Sequence, residues 1–284
     1  MVSSKPDLDH VVALALREDL GGEMRDDDVT THFVVDPAVQ GEARIVARKA
    51  GVISGSDAAS AVFEKMRQPC EYRALLPDGS RVEPGDEVAR VTGSLASILT
   101  GERTALNFLQ RLSGVATVTR SYADALAAFP EVMLLDTRKT TPGLRSLERA
   151  AVRDGGGHNH RNGLWDAILI KDNHIAAAGG VRQAIQRARR SGLPVEVEVE
   201  TLAELDDALA EGAEIVLLDN MPADLMRRAV EITAGRARLE ASGGMTLDGA
   251  IAAAKAGVDR ISVGALTHSA PALDLSLEVT RTWR

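Results

Sequence analysis

Residues 153 to 161 read RDGGGHNHR, three glycines and two histidines set among arginines. Such a stretch offers three chemistries: a metal site on the histidines, a phosphate cradle on the glycine backbone, or an anion clamp on the cations. Arg153 and Arg161 would repel a metal cation, and His158 and His160 lack a third ligand. The glycines precede no recognisable helix, so the dipole that a phosphate cradle uses is missing. The clamp fits best. Arg138, Lys139, His160, Arg161 and Lys171 are five potential donors that would repel one another in an empty pocket, so their convergence demands an anion with several oxygens. A guanidinium against a carboxylate makes charge-assisted hydrogen bonds worth about 1.5–3 kcal/mol each, and two or three together select a dicarboxylate over a monocarboxylate.

Further chemistry collects downstream. Glu200 and Asp219 are hard oxygen donors with no Cys or His at ligand spacing, which suits a magnesium ion that keeps waters and bridges to substrate phosphates. The run VEVEVE puts Glu196, Glu198 and Glu200 on one side of a strand, and Glu198 and Glu200, nearest its end, are expected to matter more than Glu196. The runs ASGGM (241–245) and SVGAL (262–266) let backbone N–H groups approach an oxyanion closely. Ser242, Gly243, Gly244 and Gly264 are therefore candidate phosphate ligands, with His268 a few residues beyond in reach of the same anion. Lys171 also ends an apolar run, the setting in which a desolvated lysine forms the Schiff base of an aldolase.

The elements that must position these residues are legible in the same stretch. Six β-rich runs, at 132–138, 167–171, 195–200, 215–220, 238–244 and 260–264, alternate with amphipathic helical patterns. LAELDDALAEG and LDGAIAAAKAG close on Gly212 and Gly257, where a helix C-cap belongs. This rhythm, without a G-x-G-x-x-G fingerprint, predicts a (β/α) barrel, and barrel strands end at the active site. There lie Asp136, Arg138, Lys139, Lys171, Glu200, Asp219, Ser242 and Gly264. Upstream, 43–55 and 77–94 alternate apolar positions around Asp-Gly and Pro-Gly turns and read as antiparallel strands. DLDHVVALALREDLG reads as a capped amphipathic helix. A long helix from about Ile98 to Ala128 links the halves, with Arg103, Asn107, Gln110 and Arg111 on its polar face. The expected class is therefore α/β, an α+β domain joined by this helix to a (β/α) barrel that carries the active site.

Composition narrows the function. The chain has 284 residues, 45% hydrophobic, enough for a barrel and a smaller companion. One cysteine excludes an intramolecular disulfide and a thiolate-rich zinc site, which fits a reducing cytoplasm. A net charge of -8 and 3% aromatic content leave no broad basic surface and no stacking platform for nucleic acid. No window approaches the roughly 18 apolar residues of a membrane span.

The runs GERTALNFLQRLSGVAT, DTRKTTPGLRSLERAAVRDGGGHNHRNGLWDAILIKDNHI, VEVEVE, LLDNM, EASGGM and VGALTHS, in this order from LREDLG to the C-terminus, resemble the quinolinate phosphoribosyltransferase family. Two departures are small: His158 stands at a variable position, and Trp165 is bulkier than the small residue expected there. The resemblance implies an open-faced α/β sandwich over 1–115, to which the end of the chain returns over 272–284, and an incomplete (β/α) barrel over 116–271 that carries the active site. It implies a decarboxylating transfer of phosphoribose from phosphoribosyl pyrophosphate to quinolinate, with Mg2+. Quinolinate would be bound by Arg103, Arg138, Lys139, His160, Arg161 and Lys171. Glu200 and Asp219 would hold magnesium and the ribose hydroxyls, and Ser242, Gly243, Gly244, Gly264 and His268 the phosphate. Lys139, Lys171, Glu200 and Asp219 are the expected catalytic groups. A homodimer, or a larger assembly, is implied, with Arg103 reaching the neighbouring subunit's site. Three rivals remain at this point: a transferase of the same fold with another acceptor, the Schiff-base aldolase, and a non-catalytic sensor of sugar phosphates.

Overall fold

A computed structural model describes residues 5–22 and 28–284, with side chains described from residue 8 onward. The chain packs as two units, one of Met1–Arg120, Thr140–Gly156 and Ala270–Arg284, the other of Ser121–Lys139 and Gly157–Ser269. The segment Thr140–Gly156 thus belongs with the first unit, whereas the sequence pattern carries it with the barrel.

The first unit holds helices α1 (Lys5–Leu20), α2 (Val29–Val34), α3 (Ser56–Glu64), α4 (Leu95–Ala125, cut by the division after Arg120) and α5 (Arg145–Asp154). Its strands are β1 (Gln40–Ala47), β2 (Gly51–Val52), β3 (Glu71–Ala74), β4 (Arg81–Val82), β5 (Glu87–Ser94) and β12 (Leu275–Trp283). Four of them form an antiparallel sheet in the order β12-β1-β5-β3, and β2 pairs with β4. The pairing of β1 with β12, from Gln40↔Trp283 to Ala47↔Leu275, brings the end of the chain back to this sheet. Ile45, Val88, Val91, Phe63, Leu106 and Leu109 are buried in this unit, each contributing about 1.5–3 kcal/mol relative to exposure. The Asp-Gly turn before β4 has a second use: Asp78 accepts from the backbone N–H of Gly55 at 2.9 Å and from the Ser56 hydroxyl at 2.7 Å, capping α3. The side-chain cap expected at the start of α1 lies outside the described residues.

The polar face read on α4 divides in two. Arg103 and Asn107 are exposed. Gln110 and Arg111 instead dock the returning chain: Gln110 O accepts from Leu273 N–H at 2.9 Å, Gln110 Nε2 donates to Leu275 O at 2.7 Å, and Arg111 Nη1 donates to Ala270 O at 2.9 Å. Arg111 also donates from Nε and Nη2 to the fully buried Glu148 of α5, at 3.0 and 2.7 Å.

The second unit contains β6 (Met133–Leu135), β7 (Ile168–Ile170), β8 (Val195–Val199), β9 (Ile215–Asp219), β10 (Arg238–Ser242) and β11 (Arg260–Ser262). All pair in parallel, in the order β6-β11-β10-β9-β8-β7, an incomplete barrel. The connecting helices are α6 (Asp172–Ala178), α7 (Val181–Ala188), α8 (Leu202–Ala210), α9 (Ala223–Thr233), α10 (Leu247–Ala256) and α11 (Ala265–His268). Local sequence sets their ends: Thr201 and Glu204 form a capping box on α8, and Gly257, with φ +96°, closes α10. Each sequence-predicted strand of this half is present and slightly shorter. Val197, Val199, Val216, Leu218, Ile261 and Val263 supply buried apolar surface.

Candidate active site

Parallel pairing aligns the strand ends. Ser242 is opposite Asp219 and Val199 is opposite Leu218, so Glu200, Asp219 and Ser242 end three neighbouring strands at one edge of the sheet. Beyond Asp219 the backbone of Asn220 takes φ +50°, its N–H donates to Ser242 O at 3.0 Å, and its side chain donates to Asp219 Oδ2 at 2.7 Å. Gly243, at φ +97°, lies so close to Asn220 that a Cβ would sit 2.2 Å from Asn220 Oδ1. Only glycine allows this crossing, which builds the ASGG turn against the LLDN turn. Asn220 was not singled out from the sequence; its place beside a strand-end aspartate is the signal that could have found it.

At the next strand end Gly264, Lys139 and His268 meet. A Cβ on Gly264 would be 3.0 Å from Lys139 Cδ and 3.2 Å from His268 Nε2. Thr267, fully buried, donates its hydroxyl to Lys139 O at 2.8 Å and so fixes the lysine's backbone. Lys139 and His268 are exposed and Ser242 is half-buried, polar groups at the strand ends of the kind that suit a phosphate.

The cations after β6 and β7 form a second cluster. Arg138 and Arg161 are both half-buried. Burial, and then the nearby Arg138 guanidinium, hold the proton affinity of Arg161 below its ordinary value. An anion placed beside two neighbouring guanidinium groups offsets the repulsion between like charges. Arg161 Nη1 also donates to Ala167 O at 3.2 Å. The intervening turn is fixed by Asp166, which accepts from Asn162 N–H at 2.7 Å and Gly163 N–H at 3.0 Å. Trp165 stands on this turn 68% exposed, so its bulk meets no steric limit within the unit. Lys171 is exposed and ion-paired with Glu198. That is not the desolvated apolar pocket a Schiff-base lysine requires, and the aldolase alternative loses its footing.

The opening stretch resolves into three parts. Gly155 and Gly156 follow the end of α5, and a Cβ on Gly155 would strike Thr119 Cβ at 2.5 Å and Ala116 O at 2.6 Å, so these glycines serve helix termination and packing. His158 bridges to Leu135 in parallel and extends the β6 edge. His160 is directed inward. Its Nε2 lies 3.0 Å from Glu196 Oε2 and 3.3 Å from Glu240 Oε1, its Nδ1 accepts from Arg161 N–H at 2.8 Å, and its own N–H donates to Asp136 Oδ1 at 2.7 Å. Asp136, fully buried, also accepts from Asn159 Nδ2 at 2.6 Å and is a brace of this turn.

Three ligand-capable groups, His160, Glu196 and Glu240, come within metal-binding distance of one another. Because Nδ1 accepts a backbone N–H, Nε2 must carry the ring proton and offers no lone pair to a metal; Arg260 Nε, 3.1 Å from Glu240 Oε2, adds a repelling charge. Burial lowers the proton affinity of His160, but Glu196 and Glu240 outweigh it and push it up to about 9. Burial also raises Glu196, whereas His160 and Arg260 hold Glu240 below its usual range against the effect of burial. His160 and Glu196 therefore share a proton, and the Arg161 N–H aimed at Nδ1 favours a neutral Nε2–H ring with the proton on Glu196. Glu240 and Arg260 escaped sequence reasoning; the signal was a charge flanked by Leu239 and Ala241 in a strand. Glu196, ranked below Glu198 and Glu200, is the more deeply engaged.

Glu200 is exposed and Asp219 half-buried, two hard carboxylates on adjacent strand ends. As a donor set they fit a magnesium ion that keeps most of its ligands as water or substrate oxygens; they are too few to hold it alone. Arg103 is exposed on α4 in the first unit. A groove of about 610 Å³ in that unit, lined by Leu20, Asp28, Thr31, Met66 and Thr100 among others, contains none of the expected site residues.

Fold and site together define an α/β barrel with glycine turns, a cation cluster and two carboxylates gathered beyond the ends of its parallel strands, the make-up of an enzyme for anionic substrates. The family models for the N-terminal and C-terminal domains of quinolinate phosphoribosyl transferase match residues 28–113 and 115–278. The chain belongs to the quinolinate phosphoribosyl transferase family. It is 41% identical to a probable nicotinate-nucleotide pyrophosphorylase [carboxylating] of Bacillus subtilis, over 89% of this chain and 90% of that protein. It is 43% identical to the nicotinate-nucleotide pyrophosphorylase [carboxylating] of Mycobacterium leprae, over 93% and 94%. The solved structure of the nicotinate-nucleotide pyrophosphorylase from Francisella tularensis superposes with a TM-score of 0.89 at 41% identity, covering 96% of this chain and 97% of that one.

Proposed function

We propose that the chain transfers the phosphoribosyl group of phosphoribosyl pyrophosphate to the ring nitrogen of quinolinate and decarboxylates the product, giving nicotinate mononucleotide, pyrophosphate and CO2 for NAD biosynthesis. The observation that carries this is the half-buried Arg161 guanidinium, in the loop between β6 and β7, set close enough to the half-buried Arg138 for that like charge to lower its proton affinity, in a chain that matches both domains of this family over 28–113 and 115–278.

Arg138, Arg161, Lys139 and Lys171 bind the two carboxylates and set the pyridine nitrogen facing the ribose C1, with His160 behind them fixing the Arg161 backbone. Ser242, Gly243, Gly244, Gly264 and His268 hold the phosphate. Glu200 and Asp219 take the ribose hydroxyls and magnesium, and stabilise positive charge developing at C1. When bound, magnesium neutralises charge on the leaving pyrophosphate. The nitrogen's electron pair forms the bond to C1 as the C1–oxygen bond breaks. The resulting pyridinium accepts the electron pair of the adjacent carbon–carboxylate bond, CO2 leaves, and that carbon takes up a proton. Lys139 and Lys171 are the ammonium groups exposed at this edge. Catalysis here is positioning and electrostatics, without a covalent enzyme intermediate. A carboxylate gripped by arginine resists leaving, so the retained carboxylate is the one held more tightly.

The same proposal includes a homodimer or larger assembly in which Arg103, exposed on α4, completes the partner's quinolinate site, and a cytoplasmic location, for which a single buried cysteine is suited. Among the described residues no helix is long and apolar enough to cross a membrane. The experiment mixes the purified protein with quinolinate, phosphoribosyl pyrophosphate and magnesium and follows nicotinate mononucleotide by absorbance, with nicotinate as the competing acceptor. Product from quinolinate alone supports the assignment. Product from nicotinate, or none, would leave the barrel and phosphate edge but remove the dicarboxylate clamp.

A further inference from the structure

Below the strand ends the parallel sheet buries ionisable groups that the transfer itself does not use. Glu196 on β8 is 5% exposed and Glu240 on β10 is 0% exposed, and Arg260 on β11 lies against Glu240. Apolar side chains at these positions would spare the cost of burying charge, so a stability role explains the cluster poorly. What the cluster touches is His160, and what His160 touches is Arg161.

We propose that Glu196 and Glu240 are positioning residues of the anion site: by holding the Nε2 side of His160 they turn Nδ1 onto the Arg161 N–H and fix the backbone from which the Arg161 guanidinium reaches a substrate carboxylate. The contacts form an unbroken series, with Nε2 at 3.0 and 3.3 Å from the two carboxylates and Nδ1 at 2.8 Å from the Arg161 nitrogen. Asp136 secures the preceding peptide N–H at 2.7 Å. Glu196 Oε2 is the nearer to the ring, while Glu240 is ion-paired with Arg260 at 3.1 Å; Glu196 Oε1 and both Glu240 oxygens have no hydrogen-bond partner among the described residues. A glutamine at 196 would therefore mimic the protonated acid and keep its carbonyl on His160, while a methionine would fill the space and offer nothing. The charged groups nearest the ring are Glu196 from β8 and Glu240 from β10, with Arg260 of β11 against Glu240, Asp136 after β6 on the His160 N–H, and Arg161 next in the chain. This inference rests on the quinolinate assignment of the site, because it gives Arg161 a carboxylate to hold.

The test measures quinolinate and phosphoribosyl pyrophosphate binding separately by calorimetry, on the full chain and on its Glu196→Met and Glu196→Gln variants. Glu196→Met is expected to weaken quinolinate by about ten-fold and to leave phosphoribosyl pyrophosphate within about two-fold, with Glu196→Gln restoring most of the quinolinate affinity. Unchanged quinolinate binding in a folded Glu196→Met protein, or equal losses for both ligands, overturns the inference. Wild-type protein that binds phosphoribosyl pyrophosphate but no quinolinate removes the functional assignment first, and this inference with it. Nitrogen-15 NMR of the wild-type ring, assigned by its loss in His160→Gln, needs no stable carboxylate variant: an Nε2–H tautomer is expected, and an Nδ1–H tautomer refutes the series.

Discussion

Replacing Gly114 by alanine in the middle of α4 sets two effects of opposite sign against each other. Alanine is favoured over glycine inside a helix by about 0.8–1 kcal/mol, so on helix propensity alone the change stabilises. The structure reverses the sign. A Cβ at 114 would lie 2.0 Å from Pro271 O, 3.0 Å from Pro271 C and 3.1 Å from Ala272 Cα, all backbone atoms of the returning segment. That segment cannot shift alone, because Leu273 N–H, Ala270 O and Leu275 O are each hydrogen-bonded to Gln110 or Arg111 of the same helix. Relieving the overlap costs about 1–3 kcal/mol of overpacking strain or more, and each hydrogen bond lost costs about another 1 kcal/mol. With two such bonds lost and the propensity gain subtracted, the net destabilisation is about 2–4 kcal/mol, a fall of about 4–16 °C in Tm at 2–4 °C per kcal/mol. Thermal melts of the wild type and Gly114→Ala, followed by far-UV circular dichroism, make the comparison. An unchanged or raised Tm would refute the docking of residues 270–275 on α4.

Three further outcomes are expected. Glu148→Ala leaves Arg111 and the Thr141 hydroxyl, 2.7 Å from Glu148, without their buried acceptor, and urea titration should show a loss of about 3–5 kcal/mol. Arg161→Ala should lower kcat/KM for quinolinate by about ten-fold or more, or about 1.4 kcal/mol, with an unchanged melting curve; near-normal kinetics would dismiss the clamp. The proton shared by His160 and Glu196 adds a pH dependence: the affinities of both groups are raised, that of the ring from 6.5 to about 9, so the pair keeps one proton whichever partner carries it, and the associated stability is complete below pH 6.5 and is lost as pH rises through about 9. Melts across that range should show the decline, and Glu196→Gln should flatten it; a wild-type Tm that does not fall would contradict the shared proton.

By itself the sequence determined the six parallel strands and the residues that end them. Alternating apolar runs, glycine caps and a repeating βα rhythm are local signals, and a strand long enough to read places its terminal residues at one edge whatever the neighbouring strands are. Lys139, Lys171, Glu200, Asp219, Ser242 and Gly264 were therefore legible as strand-end residues. The short β3 and the C-terminal β12 were not read as strands, because their pairing partners β5 and β1 lie far off in sequence. Only the tertiary structure decided that His160 turns inward to Glu196 and Glu240, that Gln110 and Arg111 hold the returning chain, and that Gly155 packs against α4 rather than cradling phosphate. In each of these cases the partner is distant in sequence and supplied by register or crossing. The direction a polar side chain takes is set by which buried donor or acceptor it must satisfy, and that information exists only once the chain is folded.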